Sequence, residues 1–300
     1  MELSEFIKKA RKLGLRLGFM KFIGYEAVFS CAFRKKDVDG VYCLLPESDD
    51  YWYADPLIYM YNDREIVFME RVDRHTGLGC IACADITDGR WGEIVPVIEN
   101  NFHMSFPMCF EWDGELYMIP ETQMDEHINL YRCIGFPYEW ELAGQFMDGH
   151  RLVDTIVLDR QVDEITFLGS EFDPEDDFYS RFYKFSLHRE EDGTITCNDL
   201  GLVSESYTLY SRMAGYPLTD QDTDGNEHIV YPIQRSTSGV YGYSVMFMRD
   251  DAYSGQKIKE MLPSDIRLDM HRKLIGVHTY SRSGMYEVID VQYLVRKIKR

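Results

Sequence analysis

Carboxylic acids recur at matching positions of a hydrophobic pattern in this 300-residue chain. Pro56 and Glu70 are separated by 14 positions, and Pro107 and Glu121 have the same separation. Each segment reads as a strand, a tight turn and a returning strand that ends in Glu, which is the pattern of a β-hairpin. Such a repeat predicts that residues at equivalent positions come together in the fold.

Weaker copies of the hairpin begin near positions 155, 217 and 278, so five copies follow at intervals of about 50 to 60 residues. This interval is the length of a four-stranded propeller blade with its loops. The sequence therefore predicts an all-β fold, a single five-bladed β-propeller formed by residues 25–300. Strands within residues 25–45 are expected to complete the last blade and close the ring. The alternative is a β-sandwich of about fourteen strands, which requires no such repeat.

The innermost strand of each propeller blade lines a central funnel, so residues at one position of the repeat surround its mouth. Asp55 and Asp154 begin the inner strands of the first and third blades. Ser105, Arg212 and His278 lie near the equivalent position in the other blades. These five residues are therefore expected to face one opening.

Glu70 and Glu121 end the second strands of their blades, where the chain has returned to the level of the mouth. Carboxyl groups that converge beside a His and an Arg suit glycosyl chemistry, in which one is the acid and another the base or nucleophile. The alternative is structural, with both Glu side chains accepting backbone N–H groups where neighbouring blades meet.

Four stretches resemble a known family. They are residues 52–58 (WYADPLI), 103–122 (HMSFPMCFEWDGELYMIPET), 128–141 (INLYRCIGFPYEWE) and 276–281 (GVHTYS). They are similar to the N-terminal propeller domain of the glucosamine inositolphosphorylceramide transferases and its stand-alone bacterial relatives. The similarity covers roughly residues 40–300. That domain in turn resembles the five-bladed propellers of the family 43 glycoside hydrolases.

In those hydrolases, the resemblance implies, an Asp that begins the first blade is the base and an Asp of the third blade orients the substrate. Asp55 and Asp154 match these two roles. The resemblance also implies a Glu of the fourth blade as the acid, but residues 211–220 (SRMAGYPLTD) contain none, and Glu205 lies well upstream. Either Glu121 of the second blade supplies the acid, or the site does not perform standard hydrolysis.

The leading hypothesis is a carbohydrate-active propeller that cleaves or transfers a glycosyl group in polysaccharide or glycolipid metabolism, without a cofactor. Asp55 acts as base or nucleophile, Glu121 as acid and Asp154 as the orienting carboxylate. The alternative is a non-catalytic glycan-recognition propeller that partners a separate glycosyltransferase. The expected substrate contacts are Trp52 and Tyr53 as a stacking platform, together with Glu70, His103, Ser105, Arg212 and His278.

The formal charge of −19 is unevenly distributed. Residues 1–36 carry a net charge of +6, and the rest of the chain carries −25. An acidic body argues against a nucleic-acid partner. Within residues 1–24 apolar side chains recur at helical intervals, which predicts a short basic amphipathic helix. Residues 1–20 are expected to dock on an anionic membrane surface or a partner protein, or to pack against the chain's own acidic body.

Seven cysteines are scattered along the chain and do not form a disulfide framework. Together with the lack of a secretory leader pattern, they predict a cytoplasmic location, peripheral to a membrane where the N-terminal helix docks. Cys80 and Cys83 form a lone C-x-x-C without further zinc ligands. Asp220, Asp222 and Asp224 precede Gly225 as in calcium loops, but the segment fits a solvated hairpin turn better.

Overall fold

The computed structural model of the protein describes residues 24–38, 40–173, 178–205, 211–222, 224–237 and 239–296. The predicted amphipathic helix falls on residues 1–23, which lie outside the described residues. Within the described ranges the regular structure is β-strand, apart from two short 3-10 helices at Gln123–Asp125 and Pro263–Asp265. No helix in this part of the chain is long and apolar enough to cross a membrane.

The strands form five antiparallel sheets, which are the five blades of a β-propeller. The chain opens with β1 (Tyr25–Lys35) and β2 (Cys43–Leu44). Blade 1 contains β3 (Tyr51–Tyr61), β4 (Arg64–Asp73), β5 (Gly79–Thr87), β6 (Arg90–Trp91) and β7 (Val95–Ile98). Blade 2 contains β8 (Ser105–Trp112), β9 (Glu115–Glu121), β10 (Ile128–Gly135) and β11 (Glu139–Phe146). Blade 3 contains β12 (Leu152–Arg160), β13 (Glu164–Asp173), β14 (Phe178–Arg189) and β15 (Ile195–Glu205).

Blade 4 contains β16 (Ser211–Met213), β17 (Leu218–Gln221), β18 (Glu227–Thr237), β19 (Val240–Arg249) and β20 (Gln256–Met261). Blade 5 contains β21 (Leu274–Gly276), β22 (Tyr280–Arg282) and β23 (Tyr286–Arg296), together with β1 and β2. Blades 1 to 4 are each formed by one continuous stretch of chain. The prediction of an all-β five-bladed propeller is confirmed.

Blade 5 joins the two ends of the described chain. β1 lies between β2 and β23 and pairs with β23 along its whole length. Successive side chains of a strand point to opposite faces, and both faces of β1 are buried. Val28 and Ala32 pack in the core between blades 4 and 5, whereas Cys31 and Phe33 pack in the core between blades 5 and 1.

The inner strands of blades 1, 2 and 3 carry the same irregularity. In β3, β8 and β12, two residues face one on the neighbouring strand, which is a β-bulge. The first residue of each bulge is Asp55, Phe106 or Asp154, and each has a left-handed backbone with φ of 48°, 43° and 51° respectively. The predicted mouth residue of blade 2, Ser105, therefore lies one position before the bulge, opposite Glu121.

Gly215 provides a test of the contact between blades 4 and 5. It has φ +150°, and a Cβ there would lie 2.0 Å from the carbonyl oxygen of Tyr280. We expect Gly215→Ala to destabilise the protein by about 2–4 kcal/mol in urea unfolding, because the blade backbones must separate. Gly225→Ala is the matched control: Gly225 also has positive φ, but a Cβ there meets no atom within 4 Å, so about 1 kcal/mol is expected. Equal losses would contradict the proposed close contact.

Candidate functional site

Asp290, on β23, is a fully buried carboxylate at the junction of blades 5 and 1. Its Oδ1 accepts the backbone N–H groups of His278 and Thr279, each at 3.0 Å. Its Oδ2 accepts the backbone N–H of Asp55 at 3.1 Å and lies 2.5 Å from Nδ1 of His278. Asp290 thereby fixes the bulge of β3 and the segment before β22 relative to each other.

The side chain of Asp55 lies within this junction. The Thr279 hydroxyl donates to Oδ1 of Asp55 at 2.8 Å, and Nε2 of His278 lies 3.7 Å from the same oxygen. Burial raises the pKa of Asp55, while the His278 charge opposes the rise. Burial also lowers the pKa of His278, but the carboxylates of Asp290 and Asp55 outweigh this and raise it to about 9. His278 is therefore a cation at neutral pH, and its ring stacks on Phe29 at a centroid distance of 4.3 Å.

A second buried cluster joins blades 3 and 4. Oδ2 of Asp154 accepts a hydrogen bond from Nε2 of Gln234 at 2.9 Å and lies 2.9 Å from Nε of Arg212. Arg212 also donates to the hydroxyl of Tyr241. Burial raises the pKa of Asp154 to about 6, against the opposing charge of Arg212. Asp154, which the sequence predicts to be the orienting carboxylate, is thus held by two side chains of blade 4.

Glu70 lies next to the bulge of blade 1 and pairs with a histidine. Nε2 of His103 lies 2.8 Å from Oε1 of Glu70, and the N–H of Gly79 donates to Nδ1 of His103 at 3.0 Å. Nε2 of His103 donates to Glu70, and this hydrogen bond and the charge of Glu70 raise the pKa of His103 to about 9 against the effect of burial. A Cβ on Gly79 would lie 2.7 Å from the His103 ring and 2.9 Å from Glu70, so only glycine fits.

Glu121 occupies the equivalent position in blade 2 but has a different environment. It is partly exposed, and no hydrogen bond in the described part of the chain holds its carboxyl group. Burial of the carboxyl group raises its pKa to about 8, and the negative charges of Asp154 and Asp55 act in the same direction against Arg212. Glu121 therefore keeps its proton at neutral pH.

The aromatic residues before Asp55 lie in different surroundings. Tyr53 is buried in the core between blades 5 and 1. Trp52 is half-buried, with its ring 6.0 Å from that of Phe29. Both line a cavity of about 240 Å³ between β1, β3 and β23, which Asp55 does not line. Of the two residues, Trp52 is the more exposed.

The site residues predicted from the sequence do not include Asp290, Thr279, Gln234 or Tyr241. Asp290 could have been found, because it is the only charged residue within the largely apolar run VIDVQYLV, and a buried charge needs partners. Gln234 lies opposite Arg212 on the second strand of its blade, a position like those of Glu70 and Glu121. Tyr241 has no comparable signal in the sequence.

Two groups of residues resemble metal sites. The ligand atoms of Asp55, His278 and Asp290 lie within 4.8 Å of one another. Both oxygens of Asp290 already accept hydrogen bonds and His278 is cationic, so this group acts as a hydrogen-bonded triad. At the calcium candidate, Asp222 accepts the N–H groups of Asp224 and Asn226 and so forms a turn of its own. Asp220 bonds to the neighbouring N–H of Gln221.

The sequence resemblance is confirmed by comparison with known proteins. Residues 45–181 match the family described as glucosamine inositolphosphorylceramide transferase 1, N-terminal. The protein of that name from Oryza sativa subsp. indica is 31% identical over 269 residues, which cover 84% of this chain and 33% of the relative. Its counterpart from Arabidopsis thaliana is 33% identical over 106 residues, which cover 35% of this chain and 14% of the relative. The chain thus spans a third or less of these curated relatives.

Among solved structures, an exo-β-1,3-galactanase from Clostridium thermocellum has a TM-score of 0.52 and 11% identity. The match covers 78% of this chain and 59% of the galactanase chain. At this identity the likeness establishes the propeller fold and nothing about the reaction.

Replacement of Asp290 tests its role in the mouth. We expect Asp290→Asn to destabilise the protein by about 2–4 kcal/mol in urea unfolding, because His278 loses its buried counter-ion. The pKa of His278, followed by NMR, should fall from about 9. Asp269→Asn is the control, since Asp269 is exposed and accepts a single backbone N–H, from Leu44. A His278 pKa that does not move would contradict the assignment.

Replacement of Glu121 tests its raised pKa without reference to activity. Below pH 4 the group is protonated in both folded and unfolded chains, so Glu121→Gln should melt like the wild type. As pH rises toward 8, the unfolded chain ionises Glu121 but the folded protein keeps it protonated, which costs the wild type stability. We expect the variant to melt roughly 2–5 °C higher than the wild type at pH 8. A difference that is independent of pH would rule out the raised pKa.

Proposed function

We propose that this protein is a carbohydrate-active propeller that cleaves or transfers a glycosyl group at its mouth. The observation that carries the proposal is the difference in surroundings between two carboxyl groups, Glu121 and Asp55, that lie in one electrostatic environment. Glu121 holds its proton at neutral pH, with a pKa of about 8. Burial raises the pKa of Asp55, but the hydrogen bond from Thr279 and the cation of His278 oppose this rise and favour the carboxylate. An acid and a base with separated pKa values are what glycosyl chemistry requires.

The reaction divides between these groups. Glu121 donates its proton to the glycosidic oxygen, so that the leaving group departs as an alcohol. Asp55 acts as base toward the incoming water or acceptor hydroxyl, or attacks the sugar itself as nucleophile. Asp154, fixed by Arg212 and Gln234, orients the substrate and raises the pKa of Glu121 through its charge.

The charge of the mouth indicates the class of sugar. Arg212 and His278 are ion-paired to Asp154 and Asp290, so their charges are already neutralised by the protein. With Asp55 added, the two clusters carry more carboxylates than cations. This field favours a neutral or amine-bearing sugar over a phosphorylated one, and disfavours the diphosphate of a nucleotide sugar. The names of the relatives refer to glucosamine, so a glucosaminyl group is the first candidate.

The second candidate is a glycan-recognition propeller that works with a separate glycosyltransferase. The observation that favours it is the fourth blade, which brings Arg212, Gln234 and Tyr241 to the mouth but, among the described residues there, no carboxylate. Docking on a membrane or partner protein through residues 1–20 and a cytoplasmic location remain predictions from the sequence.

Turnover of 4-nitrophenyl glycosides and of alkyl glycosides, including glucosaminides, separates the two candidates. We expect Asp55→Asn to lower kcat/KM by roughly 10³-fold or more, and Glu121→Gln by about 10²–10⁴-fold for alkyl glycosides, whose poor leaving group needs the proton. Wild-type activity should fall as pH rises through about 8, and Glu121→Gln should lack this alkaline limb.

Asp159→Asn is the matched control, since Asp159 lies exposed on the same strand as Asp154. Equal turnover by wild type and Asp55→Asn would exclude the catalytic assignment. Binding of a glycoside by the wild type without any turnover would support the recognition propeller instead.

A further inference from the structure

Tyr241 is the second residue of β19, at the end of the strand that follows β18. Thr237 of β18 pairs with Val240 of β19, and the N–H of Gly242 donates to the Ser236 hydroxyl at 3.1 Å. Arg212 lies opposite Gln234 on the same sheet, so this end of β19 is at the mouth end of blade 4. Tyr241 and Arg212 therefore lie at the same end of blade 4.

Close backbone packing fixes the position of this end of β19. Gly242 has φ +60°, and a Cβ there would lie 2.5 Å from Cβ of His278. A Cβ on Gly276 would lie 2.4 Å from the carbonyl oxygen of Gly242. The start of β19 thus packs closely against blade 5. As a result the Tyr241 ring meets the His278 ring edge-on, at a centroid distance of 5.4 Å and an angle of 82°.

The hydroxyl of Tyr241 is held on one side only. Its oxygen accepts a hydrogen bond from Arg212, whose guanidinium is in turn held by Asp154. Among the described residues, none accepts the proton of the Tyr241 hydroxyl. The residue as a whole is 42% exposed, whereas its hydroxyl group lies close to the charged side chains of the site.

The surroundings keep this hydroxyl protonated. Burial raises the pKa of Tyr241, and the charges of Asp154, Asp55 and Glu121 raise it further against the effect of Arg212. The phenol is therefore a hydrogen-bond donor at neutral pH, in the same electrostatic environment as the three carboxyl groups.

We propose that Tyr241 contacts the substrate, donating a hydrogen bond from its O–H to a hydroxyl oxygen of the sugar bound at Asp55 and Glu121. This assignment rests on the proposed function. Arg212 donates to the phenol oxygen and so strengthens its O–H as a donor, because successive hydrogen bonds polarise one another. Tyr241 then selects sugars that carry a hydroxyl at the contacted position.

Tyr241→Phe tests the contact, because it removes the hydroxyl and keeps the ring that packs on His278. With the 4-nitrophenyl glycoside that the wild type prefers, we expect a 10- to 100-fold lower kcat/KM, mostly through KM. The decisive readout is a series of monodeoxy analogues of that glycoside. The wild type should prefer the parent over one analogue by about 10- to 100-fold, and Tyr241→Phe should lose this preference at that position alone.

Tyr243→Phe is the matched control, since Tyr243 lies two positions along β19 and packs under Arg235 instead. It should keep the hydroxyl preference of the wild type. A Tyr241→Phe protein that retains every preference overturns the assignment, and a lowered melting temperature alongside retained preferences assigns Tyr241 a structural role. If the wild type neither binds nor turns over any glycoside, the proposed function fails and the assignment fails with it. If the wild type is active and Tyr241→Phe has unchanged kinetics and preferences, only the proposed Tyr241 contact is contradicted.

Discussion

The geometry of the mouth depends on one buried carboxylate. Asp290 accepts backbone N–H groups from Asp55, His278 and Thr279, and it contacts the His278 ring as well. An ionised carboxylate without water is stable only when such donors surround it. The donors come from blade 5 and from blade 1, so satisfying Asp290 also fixes these two blades relative to each other. The ring closure and the placement of Asp55 are thus consequences of the same interaction.

The repeated bulge determines where the side chains of the candidate site lie. Asp55, Phe106 and Asp154 occupy the same left-handed position in three inner strands, at a backbone cost of order 1 kcal/mol each. Since Phe106 is apolar and buried, the bulge itself belongs to the architecture of the blade. The side chain at that position then determines which chemical group the blade presents at the mouth. Two of the three blades carry Asp there, and the third instead brings Glu121 to the mouth from the neighbouring strand.

The carboxyl groups at the mouth lie in two different kinds of surroundings. Asp55 and Asp154 are each held by cations and hydrogen-bond donors, which stabilise their charged forms. No hydrogen bond within the described residues holds the carboxyl group of Glu121, and burial together with the charges of Asp154 and Asp55 favours its neutral form over the opposing charge of Arg212. The proposed division of roles between acid and base therefore follows from which carboxyl groups the blades surround with donors.

The sequence alone determined the blades and the positions of Asp55, Glu70, Glu121 and Asp154 in the repeat. A hairpin is a local structure, and turn residues together with alternating apolar and polar residues specify it. The tertiary structure decided the partners of these residues. The N–H of Asp55 bonds to Asp290, 235 positions away, and no local pattern encodes such a contact. It also buried Tyr53 in the core and brought Tyr241 to Arg212. Those outcomes depend on how neighbouring blades pack, and only the closed ring fixes that packing.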